Sequence, residues 1–266
     1  MDGRAIGVFD SGLGGLTAAR VLEETLPCEN LIYLGDTANM PYGPRSRGDI
    51  LRLAEQNAEF LKSHDVKAVL VACGTVSSNA LAEHRERFPL PFFGVIEAAA
   101  IAAAEATETG RVGVIATEAS IRSGAYRREL EALGRGIRVF DTACPSFVPL
   151  VESGHCEPGD SLVRAAVERE LSELRRFEPD TLILGCTHFP LLEEAIAEFM
   201  GRDVRLISCG AEAALELGRR LREEDKLNPG LTVGQRRYFT SGDTASFERQ
   251  AEAFLGHALE AEKAVF

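Results

Sequence analysis

Two cysteines occupy matching places in the chain. Cys73 lies in VKAVLVACGTVSSNAL and Cys186 in PDTLILGCTHFPLLEEAI, each just after an apolar strand-like run and just before a helical pattern. A thiol at such a junction is expected to feel free N–H groups and the positive end of the helix, which lowers its pKa from about 8.5 toward neutrality. Either sulfur then serves as thiolate or thiol. An acid and a base of similar pKa on opposite sides of one carbon take a proton from one face and return one to the other, which is what inverting a stereocentre requires. A lone cysteine is ordinarily a small buried apolar side chain. Cys28, Cys144, Cys156 and Cys209 are given that role, whereas the matched pair is read as chemical.

Groups near the pair suit the same task. His188 is two residues past Cys186, and Asp10 ends the first strand, so each can orient or deprotonate a thiol. Ser11, Thr75, Ser77, Ser78, Thr117 and Thr187 all stand at strand-to-helix junctions. Singly each is an N-cap; together with free backbone N–H groups they form a neutral cradle for carboxylates. Asp10 with a second acidic group holds an ammonium. The other histidines (His64, His84, His155 and His257) are read as structural.

The elements that must position these groups are legible as buried runs. RAIGVF, NLIYLG, VKAVLVA, PFFGVI, RVGVIA, IRVFD, DTLILG and VRLIS each have the continuous apolar character of a strand covered on both faces. Between most of them lie helical periods. In residues 46–64, Ile50, Leu53, Ala54, Asn57, Ala58 and Leu61 share one face. Alternation of this kind predicts an α/β fold with a mostly parallel sheet. Laying the chain on itself from Ile6 and from Val112 reveals four units in the same order, twice over. They include two Asp-Thr-Ala loops (YLGDTANMPYGP and VFDTACPSFVPLVESG) and the two strand-end cysteines. Duplication predicts two similar lobes related by a pseudo-twofold axis, with the site in the cleft where the carboxyl ends of their strands meet. The expected division is residues 1–97 plus 208–266 for the first domain and 98–207 for the second, with domain closure gating the cleft. The tail, RRYFTSGD and a helical stretch from Ala245 to Glu262, is expected to pack on the first lobe. The charge run RRLREEDK (219–226) reads as a solvated helix end.

Composition sets the limits. With 266 residues, 45% of them hydrophobic, the chain can bury one large core or two modest ones. No apolar run reaches the roughly 18 residues that span a bilayer, and MDGRAIGVFDSG has no basic end, long apolar stretch or cleavage site. A soluble cytoplasmic protein with no membrane partner and reduced cysteines is expected. A net charge of −12 without a run of Lys and Arg argues against nucleic acid, and an anionic substrate needs local donors to overcome that field. VFDSGLGGLT with a strand ending at Asp36 has the outline of a dinucleotide fingerprint. Thr17, however, stands at the third glycine and Asp10 would face the pyrophosphate, so the match is poor. A pyridoxal-phosphate enzyme needs a Schiff-base lysine, and none of Lys62, Lys67, Lys226 and Lys263 lies in a strand-end loop. Zinc held by Cys186 and His188 lacks a CxxC or His pair in support, so no metal and no cofactor are expected. A non-catalytic binding module on the same scaffold would need no pair of thiols.

The motifs that carry this chemistry also carry a family resemblance. IGVFDSGLGGLTAARVL, YLGDTANMPYGPRS, VACGTVSSNAL, PLVESG and LILGCTHFPLL together closely resemble glutamate racemase, of the aspartate/glutamate racemase superfamily, over nearly the whole chain. The resemblance implies cofactor-independent interconversion of L- and D-glutamate, supplying D-glutamate for peptidoglycan, by a homodimer. It implies that Cys73 and Cys186 are the two acid/base thiols and that Asp10, Glu152 and His188 assist proton transfer. It further implies that Asp10, Ser11, Pro41, Tyr42, Gly43, Gly74, Thr75, Thr117, Thr187 and His188 line the substrate site. In one place the chain departs from the family. Cys73-Gly74-Thr75 stands where Cys-Asn-Thr is usual, which removes a side-chain donor and leaves Asn79, one helical turn on, as the expected substitute. An aspartate or related amino-acid racemase is the alternative within the superfamily.

Overall fold

Continuous apolar runs become strands, most of them buried on both faces. The computed structural model describes residues 1–266, and all eight predicted runs form parallel strands. In chain order the first half comprises β1 (Ile6–Asp10), α1 (Leu16–Thr25), β2 (Leu31–Gly35), α2 (Arg47–Ser63), β3 (Ala68–Val71), α3 (Gly74–Asn79), α4 (Leu81–Arg87), β4 (Phe92–Gly94) and α5 (Val95–Ala106). The second half comprises β5 (Arg111–Ala116), α6 (Glu118–Ser123), α7 (Ala125–Ala132), β6 (Arg138–Ala143), α8 (Phe147–Glu152), α9 (Ser161–Arg176), β7 (Thr181–Leu184), a 3-10 turn (Phe189–Leu192), α10 (Glu193–Met200), β8 (Arg205–Ser208) and α11 (Cys209–Glu223). The chain then returns through β9 (Arg236–Thr240), α12 (Thr244–Leu255) and β10 (Ala261–Lys263).

The duplication is visible in the topology. The second sheet runs β6-β5-β7-β8, and the first contains β2-β1-β3-β4, the same order strand for strand, extended beyond β2 by β9 and β10. That extension explains a difference in burial. β2 is buried throughout because β9 covers its edge, whereas β6, its counterpart, is an open edge and only half-buried.

Helix α2 follows its expected pattern: Ser46 caps it, its Oγ accepting from Asp49 N, and Ile50, Leu53, Ala54, Ala58 and Leu61 are buried. Asn57, the polar member of that face, donates from Nδ2 to Tyr42 Oη at 3.2 Å. The lobes meet along α5 and α11, which pack on each other, with α1 alongside α11. Both helices bury small residues, Ala99, Ala100 and Ala103 on α5 and Ala213 and Ala214 on α11, which suits close packing, while Gly210 lies against Ala18 of α1. The expected division at residues 97/98 therefore falls inside α5.

The tail packs on the first sheet, but it is not helical to Glu262. Gly256, at φ +87°, ends α12 in the left-handed conformation, and residues 261–263 form β10 instead. The charge run 219–226 is the mostly exposed end of α11. No helix is long and apolar enough to cross a membrane.

Candidate active site

Parallel strands in matched order bring their carboxyl ends together, and the loops that follow them enclose a cleft of about 580 Å³, within the usual range for small-ligand sites. The first lobe supplies Asp10 and Ser11 after β1, Pro41, Tyr42 and Gly43 after β2, and Cys73, Gly74 and Thr75 after β3. The second supplies Thr117 after β5, Glu152 at the end of α8, and Cys186, Thr187 and His188 after β7. Apart from Ser77, Ser78 and Asn79, the residues singled out for chemistry or substrate contact thus line one space. Ser77 and Ser78 do not: Ser77 Oγ donates to Val71 O at 2.9 Å and Ser78 Oγ to Gly74 O at 2.8 Å.

The thiols have different neighbours. Cys73 is the N-cap residue of α3 and its Sγ donates to Ser11 Oγ at 3.5 Å. Cys186 Sγ lies 3.8 Å from His188 Nδ1, and His188 Nε2 lies 3.1 Å from Glu152 Oε1. When Nε2 carries the imidazole proton and gives it to Glu152, Nδ1 is left as an acceptor for the Cys186 thiol. Asp10 sits between the lobes, its Oδ2 accepting from Gly12 N at 2.9 Å and its Oδ1 lying 3.5 Å from Thr187 Oγ1.

The expected lowering of the thiol pKa is overturned. Burial pushes Cys73 up to about 11, with the Asp10 charge adding to it and bonds from Ser11 and Val76 N opposing. Burial likewise raises Cys186 well above the ordinary thiol value, against the His188 N–H. Burial is the larger effect, and the local structure does little against it. α3 is only six residues long, and Cys186 is followed by Thr187, His188 and a 3-10 turn rather than an α-helix, so neither dipole offsets the loss of water. Burial also raises Asp10 above the usual carboxylate range, with the His188 charge and the N–H groups of Gly12 and Gly15 pulling against it.

The lining contains no Lys or Arg. Side-chain donors to a carboxylate are therefore uncharged, the hydroxyls of Ser11, Thr75, Thr117, Thr187 and Ser153 and the Gln250 amide, and backbone N–H groups add to them. Thr75 Oγ1 and Thr117 Oγ1 are 2.9 Å apart across the cleft. Tyr42 Oη is tied to the buried carboxylate of Asp36, which anchors the second loop. Asn79 does not replace the missing side chain at Gly74: its Nδ2 is spent on Thr75 O at 2.8 Å and Ser78 Oγ at 3.0 Å, outside the cleft.

Several lining residues escaped the sequence reading. Cys144, Pro145, Val148 and Pro149 form an apolar wall, and Met40, Pro44, Glu118, Ser153 and Gln250 complete the rim. Cys144 is signalled only by its place after the second Asp-Thr-Ala loop, matching Asn39 after the first; Gln250 reaches the rim from α12 and has no local signal. No group of three His, Cys, Asp or Glu side chains is placed to hold a metal ion.

Known proteins share this arrangement. The Asp/Glu/hydantoin racemase family profile matches residues 16–217. The glutamate racemase of Geobacter metallireducens is 41% identical over 97% of this chain and 95% of its own length. Among solved structures, a glutamate racemase from Bacillus anthracis superposes with a TM-score of 0.95 at 38% identity, covering 100% of this chain and 98% of that one. The Francisella tularensis enzyme, solved in complex with D-glutamate, gives 0.92 at 35% identity over 100% and 98% of the two chains. Fold, cleft and full-length identity together place this chain in the Asp/Glu/hydantoin racemase family, among its glutamate racemases.

Proposed function

We propose that the chain interconverts L- and D-glutamate by proton transfer between two thiols, Cys73 and Cys186, and the α-carbon. The observation that supports this most is that the two sulfurs come from corresponding strand ends of the two lobes and line one cleft of about 580 Å³.

The chemistry follows from the surroundings. With its pKa pushed up to about 11, Cys73 is held as the thiol at pH 7 and its thiolate is a disfavoured state. A bound substrate ammonium favours that state, and a thiolate so disfavoured is a strong base. It takes the α-proton: the C–H bond breaks, an S–H bond forms, and the electron pair spreads into the α-carboxylate. Hydroxyls and backbone N–H groups of the cradle stabilise the resulting charge. The opposite thiol gives its proton to the other face and becomes the thiolate. The protein thus ends with its two sulfurs in exchanged protonation states, ready for the opposite enantiomer. Asp10 beside Cys73, and His188 held by Glu152 beside Cys186, receive or orient the thiol protons. Pro145, Val148 and Pro149 keep water from the carbanion.

The division into residues 1–97 with 208–266 and 98–207 describes the two bodies that close on the substrate. D-glutamate made this way feeds peptidoglycan synthesis in the cytoplasm, from a homodimer; family membership is the support for these assignments. The test is incubation of the purified, cofactor-free and metal-free chain with L- or D-glutamate, followed by optical rotation. Both solutions converge on zero rotation, with aspartate turned over more slowly. No loss of rotation, or loss only after pyridoxal phosphate is added, contradicts the proposal.

A further inference from the structure

The first lobe grips the loop Gly185–His188 on both sides of Cys186. A methyl group on Gly74 would stand 2.5 Å from Gly185 O. One on Gly14 would stand 2.4 Å from His188 Nδ1 and 2.5 Å from Thr187 Oγ1. Both distances lie far inside van der Waals contact, so only bare backbone lets the lobes come this close. The Gly185 carbonyl has little room to yield, because Tyr126 Oη donates to it at 3.2 Å and a Cβ on Gly185 would itself stand 2.8 Å from Ile115 O.

A third contact comes from Thr17, the residue that spoils the dinucleotide fingerprint. Its Oγ1 lies 2.8 Å from Gly14 O and 3.1 Å from Thr187 O, so its single proton serves one carbonyl in each lobe. The glycine-rich loop DSGLGG thus receives a loop of the other lobe where a nucleotide-binding protein would receive phosphate.

We propose that Gly14, Thr17 and Gly74 are positioning residues: they form a seat for Gly185–His188 and thereby set the spacing of Cys186 from Cys73. The inference rests on the two-thiol assignment, since the seat matters only if both sulfurs must reach one carbon. The contact through Gly74 is particular to this chain, because Asn usually stands at that position in the family it resembles. The side chain that would donate to the substrate is given up, and the two thiol-bearing loops touch backbone to backbone.

The experiment compares Thr17→Val, Thr17→Ser, Gly74→Ala and Cys73→Ala with the parent, measuring kcat and KM in both directions and the thermal midpoint. Misplacing a reacting group by about 1 Å costs about 10²-fold. Gly74→Ala is therefore expected to lose kcat by about 10²-fold and Thr17→Val by about tenfold, with KM within about threefold of the parent. Thr17→Ser retains the hydroxyl and keeps parental kcat, and Thr17→Val melts within about 4 °C of the parent. Should Gly74→Ala fail to fold, the contrast between Thr17→Val and Thr17→Ser decides. Parental kcat in Thr17→Val, an equal loss in Thr17→Ser, or losses that merely track melting would overturn the seat. Those results with Cys73→Ala inactive refute the seat alone; parental racemisation by Cys73→Ala refutes the two-thiol assignment and the seat with it.

Discussion

The two lobes share a strand order but not the company their thiols keep. β2-β1-β3-β4 and β6-β5-β7-β8 are the same four-strand unit, and each delivers a cysteine to the cleft at the end of its third strand in sequence. Cys73 has a hydroxyl, Ser11, and a buried carboxylate, Asp10; Cys186 has an imidazole, His188, backed by Glu152. On the proposed mechanism, duplication supplies the symmetric part of a symmetric reaction, the two directions of approach, while the groups beside each thiol differ. The proposed reaction requires that both thiols exchange a proton with one carbon, and it does not require that they do so with the same assistants.

The strongest way to break this comparison is to remove either sulfur. Cys73→Ala and Cys186→Ala are each expected to lose racemisation by 10²–10⁴-fold, the usual worth of a general acid or base; the check is polarimetry, and one variant racemising at the parental rate would make the lobes functionally unequal. Next come the assistants. Asp10→Asn and His188→Asn are each expected to lower kcat by about 10–10²-fold. L- and D-glutamate have equal free energy in water, so kcat/KM must be the same in both directions and cannot report asymmetry. The α-deuterium isotope effect can. It should grow in the direction where the impaired thiol abstracts and shrink in the other, with opposite patterns for Asp10→Asn and His188→Asn. Identical patterns would mean that the two groups serve one thiol.

A third prediction concerns pH. Because burial raises both thiols, forming the thiolate becomes easier as pH rises, by up to about tenfold per unit below the pKa. kcat/KM is therefore expected to be several-fold higher at pH 8.5 than at pH 6.5, falling only where the second thiol ionises and the acid is lost. A flat profile across that interval would mean thiols ionised near neutrality, as their strand-end position alone suggests. The smallest effect is expected for Glu152→Gln, which keeps the size of the side chain that orients His188 but removes its charge. A loss of about threefold in kcat, with the directional pattern of His188→Asn, sharpens the comparison.

Much of the scaffold was legible because parallel strands buried on both faces are written as unbroken apolar runs, and because a duplicated unit repeats its strand-end loops. Asp10, Cys73, Thr117 and Cys186 were legible for the same reason: each sits at the end of a strand or just after one. What failed was decided by tertiary contacts. The thiol pKa values depend on how deeply the closed lobes bury the sulfurs, which no spacing encodes. Asn79 turned back on its own helix, an option that periodicity does not distinguish from reaching outward. The helical reading of the tail ran through Gly256, whose positive φ ends α12. Cys144 and Gln250 reach the cleft through the packing of α8 and α12, elements whose placement only the folded lobes fix.

Central to the mechanism is that one thiol takes the proton while the other returns one. The most direct test is early-time racemisation of α-protiated L-glutamate in D₂O, with both enantiomers separated and their α-deuterium content measured. The product D-glutamate should carry deuterium from its first appearance, while recovered L-glutamate stays protiated. Deuterium entering the recovered substrate as fast as the product would show a single group serving both faces and would contradict the two-thiol mechanism.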